Sequence, residues 1–222
     1  MAVIHQTTLK PTKLELLDAW LPTRPWYRGG PDGPRLAKAG GFRLDDPAGE
    51  VGIEVMAVTD TSGAEPVTYL VPLTYRGAPL DGAEHALVGT MEHGVLGRRW
   101  AYDGCHDPAL VDRFLALAEG RTRAQDQNVT DAVDEDVTVS WSGEGAAFAA
   151  LVTGATAADD EEGTELTAPG GAAFRLQRVL CPAADGASVP APEGAAGHVA
   201  GAWGLPDGTR VRGTFVVLRA GA

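Results

Sequence analysis

The first ordered pattern along the chain is a helix signature at residues 12–21. Thr12 and Glu15 have capping-box spacing, in which the hydroxyl accepts from an orphan N–H and the carboxylate reaches back to the cap N–H. Leu14, Leu17 and Leu21, flanked by Leu16 and Trp20, make one apolar helical face, and Pro22 and Pro25 close it. Residues 2–9 read as a strand ahead of this helix, broken by Pro11. Behind it, residues 28–41 hold five glycines and two prolines and are expected to be an exposed loop.

Strand patterns follow. Residues 41–44 are short. Residues 52–59 set Ile53, Val55 and Ala57 against Glu54, Met56 and Val58, the two-residue period of a strand. After a turn at 60–66, residues 67–75 form another, with Pro72 inside it; lacking an N–H, that position is expected at an edge or a bulge. Residues 87–91 and 98–102 are two more, joined by EHGVLG. Short glycine-containing links between sequential strands favour an antiparallel meander over parallel crossovers.

Asp107 followed by Pro108 is an N-cap with proline at the first helical position. Leu110, Val111, Phe114, Leu115 and Leu117 give that helix its apolar side, and Gly120 ends it. The polar, acidic stretch 121–135 is the natural internal boundary, dividing the chain into 1–122 and 123–222. Past it, strands are expected at 137–141, 147–153, 173–180, 198–203 and 209–219. The Ala/Gly/Pro/acid-rich segments 155–171 and 183–197 are expected to be mobile loops. No internal repeat is visible. The fold class predicted is α+β, an antiparallel sheet with a few helices.

At 222 residues the chain can bury a real core. A net charge of −12 argues against nucleic acid, whose phosphates need a basic face, and against anionic membrane. Much of the acidic excess lies at 131–136 and 159–162, which read as solvated loops. No signal peptide is read at the N-terminus, and no run approaches the roughly 20 apolar residues of a membrane helix. A soluble, cytoplasmic protein is expected. Cys105 and Cys181 form no CxxC pattern and read as free buried thiols, with one disulfide as the alternative.

Candidate chemistry is sparse. His85, Glu92, His93, Asp103, His106 and Asp107 cluster in sequence, but none of their spacings is that of a metal site, and exposed or hydrogen-bonded side chains are expected instead. There is no GxSxG elbow and no phosphate-binding glycine loop. Cys105 and His106 are adjacent, so their side chains point apart rather than pairing as nucleophile and base. No catalytic residue, metal or cofactor is assigned. The aromatic residues are the remaining candidates: a sugar ligand could stack on Trp26, Tyr27, Trp100 and Tyr102. Trp100 and Tyr102, two apart on a strand, share a face. Burial in the core is the competing reading for these rings, with Trp26–Tyr27 the pair expected to be exposed.

Several segments in order, KPTKLELLDAWLP, DDPAGEVGIE, YLVPLTYRGAPL and LVGTMEHGVLGRRWAYDGCHDP, together resemble the N-terminal cap region of maltokinases over roughly the first 120 residues. The resemblance implies a curved antiparallel sheet with packed helices, loosely cystatin-like, followed by a second β-rich lobe like a degenerate kinase N-lobe. In that lobe FRLQRVL is similar to the strand carrying a nucleotide-contacting lysine, with Arg175 nearest its place; no lysine follows Lys38, and arginine is no neutral replacement there. The sequence shows neither an HxD-type loop nor the metal ligands that phosphoryl transfer needs. The resemblance therefore implies a non-catalytic accessory or regulatory module in trehalose, maltose and α-glucan metabolism, with a protein partner there. Direct carbohydrate binding is the alternative, and an unrecognised enzyme using Asp103 or His106 is a second.

Overall fold

The computed structural model describes residues 8–129, 132–184 and 189–221. Most of the strand expected at 2–9 lies outside them; its described end is β1, Leu9–Lys10. The helix α1, Lys13–Trp20, carries the complete capping box, with Thr12 Oγ1 accepting from Glu15 N and Glu15 Oε2 accepting from Thr12 N. Then come β2 (Leu36–Leu44), β3 (Gly52–Asp60), β4 (Val67–Arg76), β5 (Leu87–His93) and β6 (Gly97–Asp103). Helix α2, Pro108–Ala118, begins at Asp107, whose carboxylate accepts from Ala109 N. The later elements are β7 (Thr138–Trp141), α3 (Ala149–Gly154), β8 (Thr156–Asp159), β9 (Gly163–Thr167), β10 (Ala173–Gln177), β11 (Gly197–Gly204) and β12 (Arg210–Arg219). The class is α+β.

All the pairings are antiparallel, and the strands lie in the order β1-β5-β6-β4-β3-β2-β11-β12-β10-β9-β8, with β7 beside β11. The path is open, yet it folds back on itself. Tyr69 of β4 bridges Val179 beyond β10, Leu70 N donates to Arg178 O, and Leu180 N donates to Thr68 O. This return explains Pro72, which lies in an interior strand at unbroken register rather than at the expected edge or bulge. Strand N–H groups alternate sides, so Pro72 faces the same side as Leu70. There β6 pairs only from Leu73 onward and the returning chain ends its contacts at Leu70, so no ladder bond is lost.

Three further expectations are corrected. Residues 28–41 are not one loop, because β2 starts at Leu36 and its two glycines are built into the sheet. Gly41 has φ of +120°, and a Cβ there would lie 2.0 Å from Val55 O. Residues 147–153, expected as a strand, form the 3₁₀ turn Gly145–Phe148 and α3. The run is alanine-rich, and alanine is the strongest helix former. Segment 155–171 is an ordered hairpin, β8–β9. Its acidic turn is tied down by Asp160, which accepts from Glu162 N and Gly163 N and pairs with both Nη atoms of Arg175.

The sheet buries residues on both faces. Ile53, Val55, Ala57 and Leu70 share the larger core with α2 and with Phe174, Val199 and Phe215 from the later strands. Phe42 stands 6.1 Å from Phe114 and 6.3 Å from Phe215, and Phe114 is 5.4 Å from Phe174. On the opposite face Met56, Val58, Tyr69, Val71 and Leu73 meet Leu17, Trp20 and Leu21 of the α1 region and Trp26. The strand alternation thus serves two cores rather than a core and solvent.

Candidate functional site

The four aromatic residues singled out from the sequence do not form one surface. Trp26, expected to be exposed, is fully buried. It packs against Trp20 at 5.7 Å and Tyr69 at 5.6 Å, because Pro22 and Pro25 turn the chain back over the sheet instead of away from it. Tyr27 is half-buried, its hydroxyl donating to Asp60. Trp100 and Tyr102 do share a face, but Tyr102 is buried and its hydroxyl accepts from Leu80 N. Trp100 is half-buried with the Arg98 guanidinium 5.2 Å from its ring centre.

What Trp26 and Tyr27 position is the residue after them. Tyr69 OH accepts from Arg28 N at 2.7 Å, and Arg28 Nη2 donates to Glu161 O at 3.0 Å. Burial pushes the Tyr69 phenol up to about 12, against the Arg28 N–H, so it remains a neutral hydroxyl. Arg28 thereby stands at the rim of a half-open cavity of about 460 Å³ whose other walls come from the second half of the chain. Glu162, Gln177, Val179, Cys181 and Thr214 face it. Gly213 is needed in the wall, since a Cβ there would meet Cys181 O at 2.5 Å and the Trp203 ring at 2.8 Å. Both cysteines are free; Cys181 is exposed rather than buried as expected, and Cys105 is buried.

Beneath the cavity floor, on the other side of the 177–179 segment, lies a buried ionic chain. Arg178 and Asp103 are both buried, with Arg178 Nη2 2.7 and 2.5 Å from the two carboxylate oxygens. Arg178 Nε donates to Thr164 Oγ1 at 2.7 Å, and Thr164 Oγ1 donates to Asp159 at 2.5 Å. The guanidinium lies 5.0 Å from the Trp26 ring centre. Burial opposes its charge, and the Asp103 carboxylate more than offsets this, holding the guanidinium above its ordinary value. Asp103 also accepts from Cys105 N.

The remaining polar candidates are accounted for by similar local contacts. His106 meets His85 edge-on, with Nδ1 and Nε2 3.1 Å apart. Burial pushes His106 below the ordinary imidazole value, opposed by Asp103 and reinforced by His85. The Cys105 thiol is pushed far up by burial, which removes it as a nucleophile at neutral pH. Asp107 caps α2 and receives both Nε and Nη2 of Arg76 at 2.7 Å. His93 accepts from Val95 N and Leu96 N in the β5–β6 turn. Among the described residues no three His, Cys, Asp or Glu side chains converge as a metal site, and no helix is long and apolar enough to cross a membrane.

Sequence reasoning missed the cavity and the Arg178 chain alike. Glu162 reads in the sequence only as part of an acidic loop, and Arg178 has no distinguishing spacing. A buried arginine shows in sequence only as an odd charge within an apolar strand, here Arg178 between Leu176 and Val179–Leu180.

Comparison with known families adds one finding. Residues 20–107 match the model of the maltokinase N-terminal cap domain. The match runs from the end of α1 to the N-cap of α2, so it includes Arg28 and Asp103 but none of their partners at 159–181. No curated protein matches the chain significantly.

Proposed function

Because residues 20–107 match the maltokinase N-terminal cap domain, we propose that this chain serves maltose and trehalose metabolism as a cytoplasmic, non-catalytic accessory or regulatory module that docks on a larger enzyme of that pathway. The observation that carries this reading is the family match itself. Support comes from the use the fold makes of the polar side chains in that segment. Asp103 neutralises Arg178, Asp107 caps α2, and Cys105 is sealed in the core, so each has a structural task that competes with catalysis. Arg175, the residue nearest the place of a nucleotide-contacting lysine, is engaged by Asp160.

The test is capture from a lysate with the full chain as bait, beside an activity assay. The proposal expects an enzyme acting on maltose, trehalose or an α-glucan among the retained proteins, and no phosphorylated sugar when the purified chain is given ATP, Mg²⁺ and maltose. Sugar phosphate formed by the purified chain would refute the non-catalytic reading. Retention of no such enzyme, under conditions that preserve weak assemblies, would refute the accessory one.

A further inference from the structure

We propose that residues 77–86 form a strap over β6 that lifts on acidification, released when His85 and His106 both become protonated. Strand β6 lies between β4 and β5, so the link joining those two strands has to cross it. Leu80, Ala83 and Ala86 of that link close over Tyr102 and Trp100, in a small apolar cluster of their own. Such a satellite cluster can come apart locally while the main sheet stays folded. The link is tied down at Leu80, whose N–H donates to the Tyr102 hydroxyl at 2.9 Å. It is tied again at His85, whose Nε2 lies 3.1 Å from His106 Nδ1. The bonds from Ala83 N to Leu80 O and from Ala86 N to Ala83 O stay within the link and are kept when it lifts.

The tie between the two imidazoles needs one unprotonated nitrogen as acceptor. The pair keeps its contact while one ring is neutral, whereas charging both sets two cationic donors against each other. Asp103 and Asp159 favour positive charge on His106, and Arg178 opposes it. Both carboxylates are already engaged, Asp103 by Arg178 and Cys105 N, Asp159 by Thr164. Asp107, next along the chain, holds Arg76 and Ala109 N, and Glu84 on the strap accepts from Gly82 N. Burial adds to the resistance against charging His106, and lifting the strap relieves it. With the strap lifted, His106 returns toward the ordinary imidazole value of about 6.5 and takes up the proton that the closed pair refuses. The open form thus binds more protons, so closure is fully favoured above about pH 6.5 and weakens as pH falls below it. Lifting uncovers Tyr102 beside Trp100 and Arg98, the aromatic face that the strap conceals at neutral pH.

The amide of Leu80 provides the readout, since its bond to Tyr102 breaks when the strap lifts. Its hydrogen exchange in the full chain is followed by NMR, each rate being divided by the intrinsic rate at the same pH. One proton of difference between the open and closed forms lowers protection about tenfold between pH 7.5 and 5.5. Low concentrations of urea should leave this exchange unchanged, because a local opening exposes little surface. His85→Gln has nothing to titrate and offers His106 an acceptor in either charge state, so it should remove most of the fall. His85 is exposed, and the variant should fold as the parent does. A parent whose Leu80 protection is the same at both pH values overturns the proposal, as does an equal fall in His85→Gln. Exchange at Leu80 that shares the urea sensitivity of the β3 amides also overturns it, by showing that the strap is released only on global unfolding. None of these measurements involves a partner or a sugar, so the proposed function stands or falls separately.

Discussion

Arg178 shows at the residue scale how far a side chain's role can lie from its sequence neighbours. Its guanidinium is shut off from water, and its counter-charge, Asp103, comes from a strand in the other half of the chain. Removing one partner of such a pair leaves an uncompensated buried charge, which costs about 3–5 kcal/mol, whereas replacing both with apolar groups can be neutral. Asp103→Asn is therefore expected to destabilise by about 3–5 kcal/mol in urea unfolding, and Asp103→Asn combined with Arg178→Met to recover a large part of that. Equal losses in the single and double variants would show that the pair is not what matters. Nothing in the local sequence signals this partnership. Trp26 is buried against expectation for a related reason: the prolines beside it mark a turn, and only the packed sheet decides whether the turn points inward.

Elements defined by local chemistry were the most legible. The capping box of α1 and the Asp107–Pro108 start of α2 are set by atoms within three residues of one another, and both form as expected. The strands β3 and β4 were visible through their apolar character, which needs no knowledge of what covers either face. Residues 147–153 and 155–171 depart from expectation where alanine and acid dominate, since neither composition fixes a strand or a loop without its packing partner. Asp107 belongs to this scale because its carboxylate serves one helix start. Asp107→Ala is expected to lower stability by about 2–4 kcal/mol, about 1 of it from the lost cap and the rest from separating Arg76 from a buried partner. Asp107→Asn retains the cap and should lose less. Chemical denaturation of both variants checks the order, and an alanine variant no weaker than the asparagine one would contradict it.

For the molecule as a whole, the sheet passes through the boundary that composition suggested near residue 122. Trp203 of β11 pairs with Gly40 of β2, and Phe42 packs on Phe215. A fragment comprising residues 1–122 would leave Phe42, Leu44, Ile53 and Val55 without the strands that complete their core. At about 25 cal/mol per Å² of apolar surface, uncovering several such side chains outweighs the few kcal/mol by which domains are stable. That fragment is expected to bind a hydrophobic dye and to lack a cooperative thermal transition. A sharp transition without dye binding would establish it as an independent domain.

The sequence by itself determined the α+β class, the two main helix starts, most of the antiparallel strands and the resemblance to a maltokinase cap. Each of these follows from preferences that act over a few residues, or from a string of such preferences in a fixed order. Tertiary structure alone decided that the sheet folds back from β10 onto β4, that Trp26 lies under a buried arginine, and that Arg28 meets Glu162, Gln177 and Cys181 around one cavity. Those outcomes join residues more than a hundred positions apart. The free energy that joins them comes from burial and charge pairing, which depend on what lies across the space and not on what lies along the chain.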